Sequence, residues 1–315
     1  MATITADHIA SVSLEDADRD PDAFAQELGH SFEEYGFAVI ADHGIPDALI
    51  RDAEEKARAF FALPDEAKRK YHIAGGGGAR GYTPFGIETA KGATAFDLEE
   101  FWHVGRDLPP GHPFRDHMPD NIWPSEIDGF KDTFQQLYAT FDRTGLKILK
   151  AIARFLKIDE DYFIDTVRDG NSVMRLLHYP PIEGEPGSNE RAGAHEDINT
   201  ITLLLGAEEA GLELLTKDGR WIPVSPKPGE LVVNIGDMLQ RLTNGQLRST
   251  THRVVNPPPE RRGFSRYSMP FFLHFRSDFV IEPLPGTVPL GEQPKWPPIT
   301  ANEYLQERLR EIKLV

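Results

Sequence analysis

The chain contains no cysteine. Disulfides, zinc–thiolate sites, iron–sulfur clusters and thiol nucleophiles are excluded together, so any metal must be held by nitrogen and oxygen. Positive charge is also short: 34 Lys and Arg stand against 50 Asp and Glu, a formal net charge of −16. A surface of that sign repels phosphate backbones, and no nucleic-acid partner is expected. Long apolar runs are missing too. No segment approaches the roughly 20 apolar residues of a membrane helix. The opening MATITADHIASVSLEDADRD has neither a basic start nor an apolar stretch. The expectation is a cytoplasmic protein with no membrane partner.

What is present is enough for a core: 315 residues, 40% hydrophobic, fit one large domain or two intimate ones. Phe24, Leu28 and Phe32 recur at helical spacing, and Phe37 to Ala41 reads as a short buried strand. A second helix is expected between Pro46 and Pro64. The run Gly75 to Gly78 reads as a mobile loop. It lacks the preceding strand and the following Lys-Ser/Thr of a phosphate cradle. Apolar residues from Phe130 through Phe141 and Ile148 to Phe155 predict one long helix, with Ser125 as its N-cap. From Val173 the pattern changes to short β-rich runs such as VMRLLHYP, TITLLL, ELVVNI and RYSMPFFLHF. KDGR at 217–220 predicts a type I′ hairpin turn, and Thr300 with Glu303 a capping box. Together these predict an α+β chain with a mainly β core, an antiparallel jelly-roll barrel flanked by helices.

The stretch GAHEDINTITLLL places charged residues against a core strand. If it enters the strand TITLLL, period-two alternation puts His195 and Asp197 on one face and Glu196 on the other. A third ligand must come from elsewhere, and His252, entering the run THRVVN, is the best candidate. Two histidines and one carboxylate on one face leave coordination positions open, the arrangement of non-haem iron oxygenases; zinc is the competing metal. Arg266 and Ser268, two apart, share a strand face and make a carboxylate receptor, while Tyr267 and Met269 face away. Arg261 and Arg262 read as surface cations. His43 reads as a turn residue, and His178 and Tyr179 have opposite faces. His103 and His274 read as packing or substrate-facing. Tyr82, Phe85, Phe96 and Trp102, with His274, are candidates for a substrate pocket, the core being the alternative for the aromatic ones.

GAHEDINTITLLL, GELVVNIGDMLQRLTNGQLRSTTHRVV and RYSMPFF resemble the iron(II)- and 2-oxoglutarate-dependent oxygenases of the isopenicillin N synthase-like family. EYGFAVIADHGIP, DLEEFWHVG and MRLLHYPP extend the likeness from about Leu14 to the final helix. The resemblance implies that His195, Asp197 and His252 ligate Fe(II). It implies that Arg266 and Ser268 hold the distal carboxylate of 2-oxoglutarate, with the phenol of Tyr179 beside it. Beyond the metal site it implies no catalytic residue. Leu177 stands where plant relatives often carry Asn, which removes a second polar contact. Residues 1–120 would be the family's helical and mixed region, packed on a 121–315 unit of long helix and jelly roll. The implied activity is oxidation, usually hydroxylation, of a small organic molecule, with O2 consumed and 2-oxoglutarate decarboxylated to succinate, by a monomer or weak homo-oligomer. Two alternatives stand beside it: an iron oxidase that uses no 2-oxoglutarate, and a non-redox metal-binding jelly roll. Arg266 and Ser268 favour the first reading over the last. The substrate is not legible, and Glu196 has no assigned role.

Overall fold

Strand alternation organises the molecule. The computed structural model describes residues 9–76, 78–88, 96–205 and 210–311. Its strands are β1 (Ser11–Ser13), β2 (Phe37–Ala41), β3 (Gly81–Thr83), β4 (Glu100–Gly105), β5 (Val173–Tyr179), β6 (Ala192–His195) and β7 (Ile201–Leu205). They continue as β8 (Leu212–Leu215), β9 (Trp221–Pro223), β10 (Leu231–Ile235), β11 (His252–Val254), β12 (Arg266–Leu273), β13 (Val280–Ile281) and β14 (Ile299–Thr300). Eight form one sheet in the order β1-β2-β10-β7-β12-β5-β4-β3, and four form a second in the order β6-β11-β8-β9. The strands of both run antiparallel except β1 beside β2.

Leu203 and Leu205 of β7, Leu231 and Val233 of β10, and Phe271 and Leu273 of β12 point to one side of the large sheet, into the main core. The residues between them, such as Leu204 and Val232, point the other way. There they meet Leu212, Leu214 and Val254 of the small sheet. Both faces of the large sheet are thus covered, which is why its strands read as near-continuous apolar runs. The result is the expected jelly roll with helices. Among the described residues its two sheets face each other without closing into a continuous barrel.

The helices are α1 (Asp16–Arg19), α2 (Pro21–Tyr35), α3 (Asp47–Phe61), α4 (Asp65–Arg69), α5 (Phe130–Phe155), α6 (Tyr162–Val167), α7 (Asp237–Leu242) and α8 (Ala301–Glu311). On the core side α5 lies against β12, Phe141 stacking on Phe271 at 5.4 Å. Each ring is wholly buried, contributing roughly 1.5–3 kcal/mol. Gly145 permits this approach, because a Cβ there would stand 2.4 Å from Leu273 Cδ1. The first 120 residues supply β1 to β4 to the same large sheet. No described helix is long and apolar enough to cross a membrane.

Two local expectations are corrected. Ser125 does not cap α5: the cap position is Gly129, at φ 69°, with no side-chain bond. Ser125 lies upstream of the helix start at Phe130, with its hydroxyl 3.3 Å from that of Tyr71. The 217–220 hairpin forms between β8 and β9, but with Gly219 alone of its central residues at positive φ, 81°. It is therefore not type I′, which needs two such residues. Pro46 precedes α3 as its N-cap. The Thr300–Glu303 capping box is present, with reciprocal bonds of 3.1 and 3.2 Å. Gly77 of the glycine run lies outside the described residues.

Candidate metal centre and its cavity

His195 ends β6 and His252 begins β11, paired in register with ring centroids 4.4 Å apart. Asp197 is not on a strand with His195, contrary to the alternation argument. It stands in the crossover from β6 in the small sheet to β7 in the large one. That crossover is clamped to the start of α7, where the Asp237 amide donates to the Asp197 carbonyl at 2.7 Å. The carboxylate reaches the histidines by this turn: Asp197 Oδ1 is 3.8 Å from Nε2 of His195 and 3.8 Å from Nε2 of His252.

Each ring is oriented by its other nitrogen. His195 Nδ1 pairs with the Gly193 carbonyl at 2.7 Å, and His252 Nδ1 with the Thr250 carbonyl at 3.0 Å. A carbonyl partner requires Nδ1–H, which leaves the Nε2 lone pair for a metal. Asp197 Oδ2 accepts from the Thr202 hydroxyl and from Asn234 Nδ2, the latter at 2.7 Å. Burial alone would raise the Asp197 pKa; the two imidazoles and these bonds outweigh it and hold the carboxyl low. Burial, with His195 adding to it, lowers His252 to about 4. The three ligand atoms lie within 4.8 Å of one another. Two imidazole Nε2 atoms and one carboxylate oxygen fit Fe(II). Glu196 accepts from the Thr251 hydroxyl at 3.0 Å, joining the end of β6 to the entry of β11.

The centre opens into a cavity of about 460 Å³. Arg266 and Ser268 of β12 and Leu177 and Tyr179 of β5 line it, with Arg266 opposite Tyr179 and Ser268 opposite Leu177. The Arg266 guanidinium lies 5.1 Å from the Tyr179 ring centroid, a cation–π distance. His274 also lines the cavity. His178 faces away, bonded to Glu100 at 2.7 Å and Ser265 at 3.0 Å.

Four residues expected at the pocket are elsewhere. Tyr82 and Trp102 are in the main core: the Tyr82 hydroxyl donates to Glu100, and Trp102 packs 4.8 Å from Phe60. The next residue along β4, His103, has the cavity-facing position instead. Phe85 and Phe96 pack edge-on against each other at 5.7 Å, 41% and 39% exposed, and line no part of the cavity. Residues 89–95 of the expected specificity loop lie outside the described residues. The sequence reading missed Thr202 and Asn234, and also Asp97, Glu99 and Arg175 on the cavity wall. The signal available was a polar residue recurring at inward positions of otherwise apolar strands.

A jelly roll presenting two histidines and one carboxylate, with the remaining coordination positions facing a cavity, defines a non-haem iron oxygenase. Residues 9–126 match the family profile of the non-haem dioxygenase in morphine synthesis N-terminal region, and residues 170–275 that of the 2OG-Fe(II) oxygenase superfamily. The chain belongs to the 2OG-Fe(II) oxygenase superfamily, and it is an oxidoreductase that uses Fe(II) and 2-oxoglutarate. It is 34% identical to a 2-oxoglutarate-Fe(II) type oxidoreductase of Emericella nidulans, over 89% of this chain and 82% of that protein. A 2OG-Fe(II) oxygenase family protein of Caulobacter crescentus is 59% identical, with a TM-score of 0.90 over 98% of this chain and 100% of that one. A full-length Neurospora crassa protein, solved in complex with alpha-KG, is 31% identical, with a TM-score of 0.85 over 96% of this chain and 95% of that one.

Proposed function

We propose that this enzyme hydroxylates a small organic molecule, with His195, Asp197 and His252 holding Fe(II) and with Arg266 and Ser268 holding the distal carboxylate of 2-oxoglutarate. The convergence of both Nε2 atoms on Asp197 Oδ1, at 3.8 Å each, carries the reading. When bound, iron with 2-oxoglutarate and O2 supplies the oxidation of a C–H bond, coupled to decarboxylation of 2-oxoglutarate to succinate. The chain's own part is orientation. Thr202 and Asn234 fix the carboxylate, the Gly193 and Thr250 carbonyls fix the imidazoles, and the Tyr179 ring supports the Arg266 guanidinium. Arg266 is 3% exposed. A guanidinium so deep in the cavity suits a carboxylate co-substrate. Residues 1–120 pack on the catalytic 121–315 unit. The high negative charge suits a cytoplasmic enzyme whose partner is its small-molecule substrate.

The test is succinate formation. Protein loaded anaerobically with Fe(II) and 2-oxoglutarate is exposed to oxygen, alone and with a panel of small molecules. Slow succinate release is expected from the protein alone and is lost in Asp197→Ala. Metal-loaded protein that forms no succinate under any condition defeats the reading.

A further inference from the structure

The cavity wall next to the metal strand is acidic. Asp97 accepts from the Gly193 amide at 2.9 Å, two residues before His195. Glu99 follows at the entry to β4, and Glu88 comes from the preceding segment. Asp97 and Glu99 are 8% and 5% exposed. Among the described residues, the one cation ion-paired with this group is Arg175, at 2.9 Å from Glu88 and 3.6 Å from Glu99.

Arg175 is committed where it stands. Its Nε donates to His103 Nε2 at 2.6 Å, and His103 Nδ1 is bonded in turn to the Gly78 carbonyl. Its guanidinium lies 4.0 Å from the Phe101 ring centroid and 5.5 Å from that of Phe272. One guanidinium therefore faces three carboxylates. Burial, with Glu88 adding to it, raises the Glu99 pKa well above the usual range. Burial likewise raises Asp97 to about 6, against the opposing bond from Gly193.

Independent acceptors face the same cavity. His274, 7% exposed, gives its Nδ1–H to the Phe272 carbonyl at 3.1 Å, and its Nε2 has no hydrogen-bond partner. Asn171 Oδ1 also lacks a partner and also lines the cavity. A buried acceptor without a donor is costly, and a buried excess of carboxylate more so. Both costs fall when a ligand brings N–H donors and positive charge.

We propose that the substrate carries a protonated amine, seated on Glu99 with Asp97 and Glu88 beside it, in the cavity that His274 also lines. The proposal rests on the oxygenase reading only in calling that ligand a substrate. The amine end is anchored on the β4 side, and the C–H bond to be oxidised faces the metal centre.

Calorimetric titration of the Fe(II)- and 2-oxoglutarate-loaded protein under anaerobic conditions tests this. The probes are benzylamine, cyclohexylamine and 4-phenylpiperidine, each paired with its N-acetyl counterpart. At least one amine should bind tenfold or more tightly than its uncharged partner. That preference should disappear in Glu99→Gln. Glu88→Gln, at a less buried position, should reduce it severalfold and serves if Glu99→Gln does not fold. Equal affinity within every pair, or a preference that survives both substitutions, overturns the proposal. Succinate formation by the same preparation is read separately. Its absence counts against the oxygenase reading and leaves the amine preference, or its lack, to decide this one.

Discussion

His195 and His252 face each other across the β6–β11 pair, in register, each held by a backbone carbonyl on Nδ1 and each presenting Nε2 to the same oxygen of Asp197. The two imidazoles are set by the sheet, not by each other. Replacing one therefore removes a ligand and leaves the other in position. His252→Ala is expected to lower Fe(II) affinity by more than about a hundredfold with the fold retained. Metal content after anaerobic loading and desalting, alongside circular dichroism, checks this. Iron retained at stoichiometric level would remove His252 from the site.

Thr202 reaches Asp197 from β7 and Asn234 from β10, so the large sheet orients the carboxylate that the crossover carries. Thr202→Val keeps the shape of the side chain and removes its donor. Fe(II) affinity should fall by roughly ten- to a hundredfold, measured by competition with a chromophoric chelator. Affinity equal to the parent's would show that Asn234 suffices to orient Asp197.

Arg266→Ala should weaken 2-oxoglutarate binding by about 2–5 kcal/mol, the cost of leaving one buried charge without its partner. Anaerobic titration of the Fe(II) protein with 2-oxoglutarate reads it directly. Iron affinity should change little, because Arg266 is opposite Tyr179 and is not part of the ligand set. An unchanged 2-oxoglutarate affinity would assign Arg266 to the substrate or to structure.

On the core side of β4, Glu100 joins Lys68 at 2.6 Å, His178 at 2.7 Å and the Tyr82 hydroxyl. Burial pushes the Glu100 pKa up, and the bonds from His178, Lys68 and Tyr82 outweigh it, leaving it below the ordinary carboxylate value. A depressed carboxyl stabilises the fold fully above its unfolded pKa, about 4.3. It loses that contribution as pH falls through the lower folded value. Glu100→Gln should therefore be destabilised at pH 7, by about 3 kcal/mol for a broken buried pair. Its deficit against the parent should shrink below about pH 4. Denaturant unfolding at both pH values measures it. A deficit that does not change with pH would contradict the linkage.

Much of the centre was legible because its parts are local. The absence of cysteine confined any metal to nitrogen and oxygen ligands, and period-two alternation put Arg266 and Ser268 on one face and His178 and Tyr179 on opposite faces. The same rule did not say which face was the cavity. Trp102 and Tyr82 went to the core because α3 and α5 cover that side of β4, where Phe60 and Phe130 meet the indole. An aromatic residue in a strand buried on both faces carries no mark of which side it takes. Ser125 failed as a cap because the helix starts only at Phe130, and its hydroxyl lies instead against that of Tyr71, 54 positions earlier in the chain.

The sequence by itself determined the chemistry available: two histidines and an acid near strand ends, an arginine and a serine two apart, and no thiolate to compete. Local residue type and strand period are enough for that. Only the tertiary structure decided how those groups meet. Asp197 reaches His195 through a crossover between sheets and not along one strand. Glu88, Asp97 and Glu99 come together around Arg175 only because β4 pairs with β5 and Asp97 is tied to β6. Such contacts are set by pairing between distant segments, and no local period encodes them.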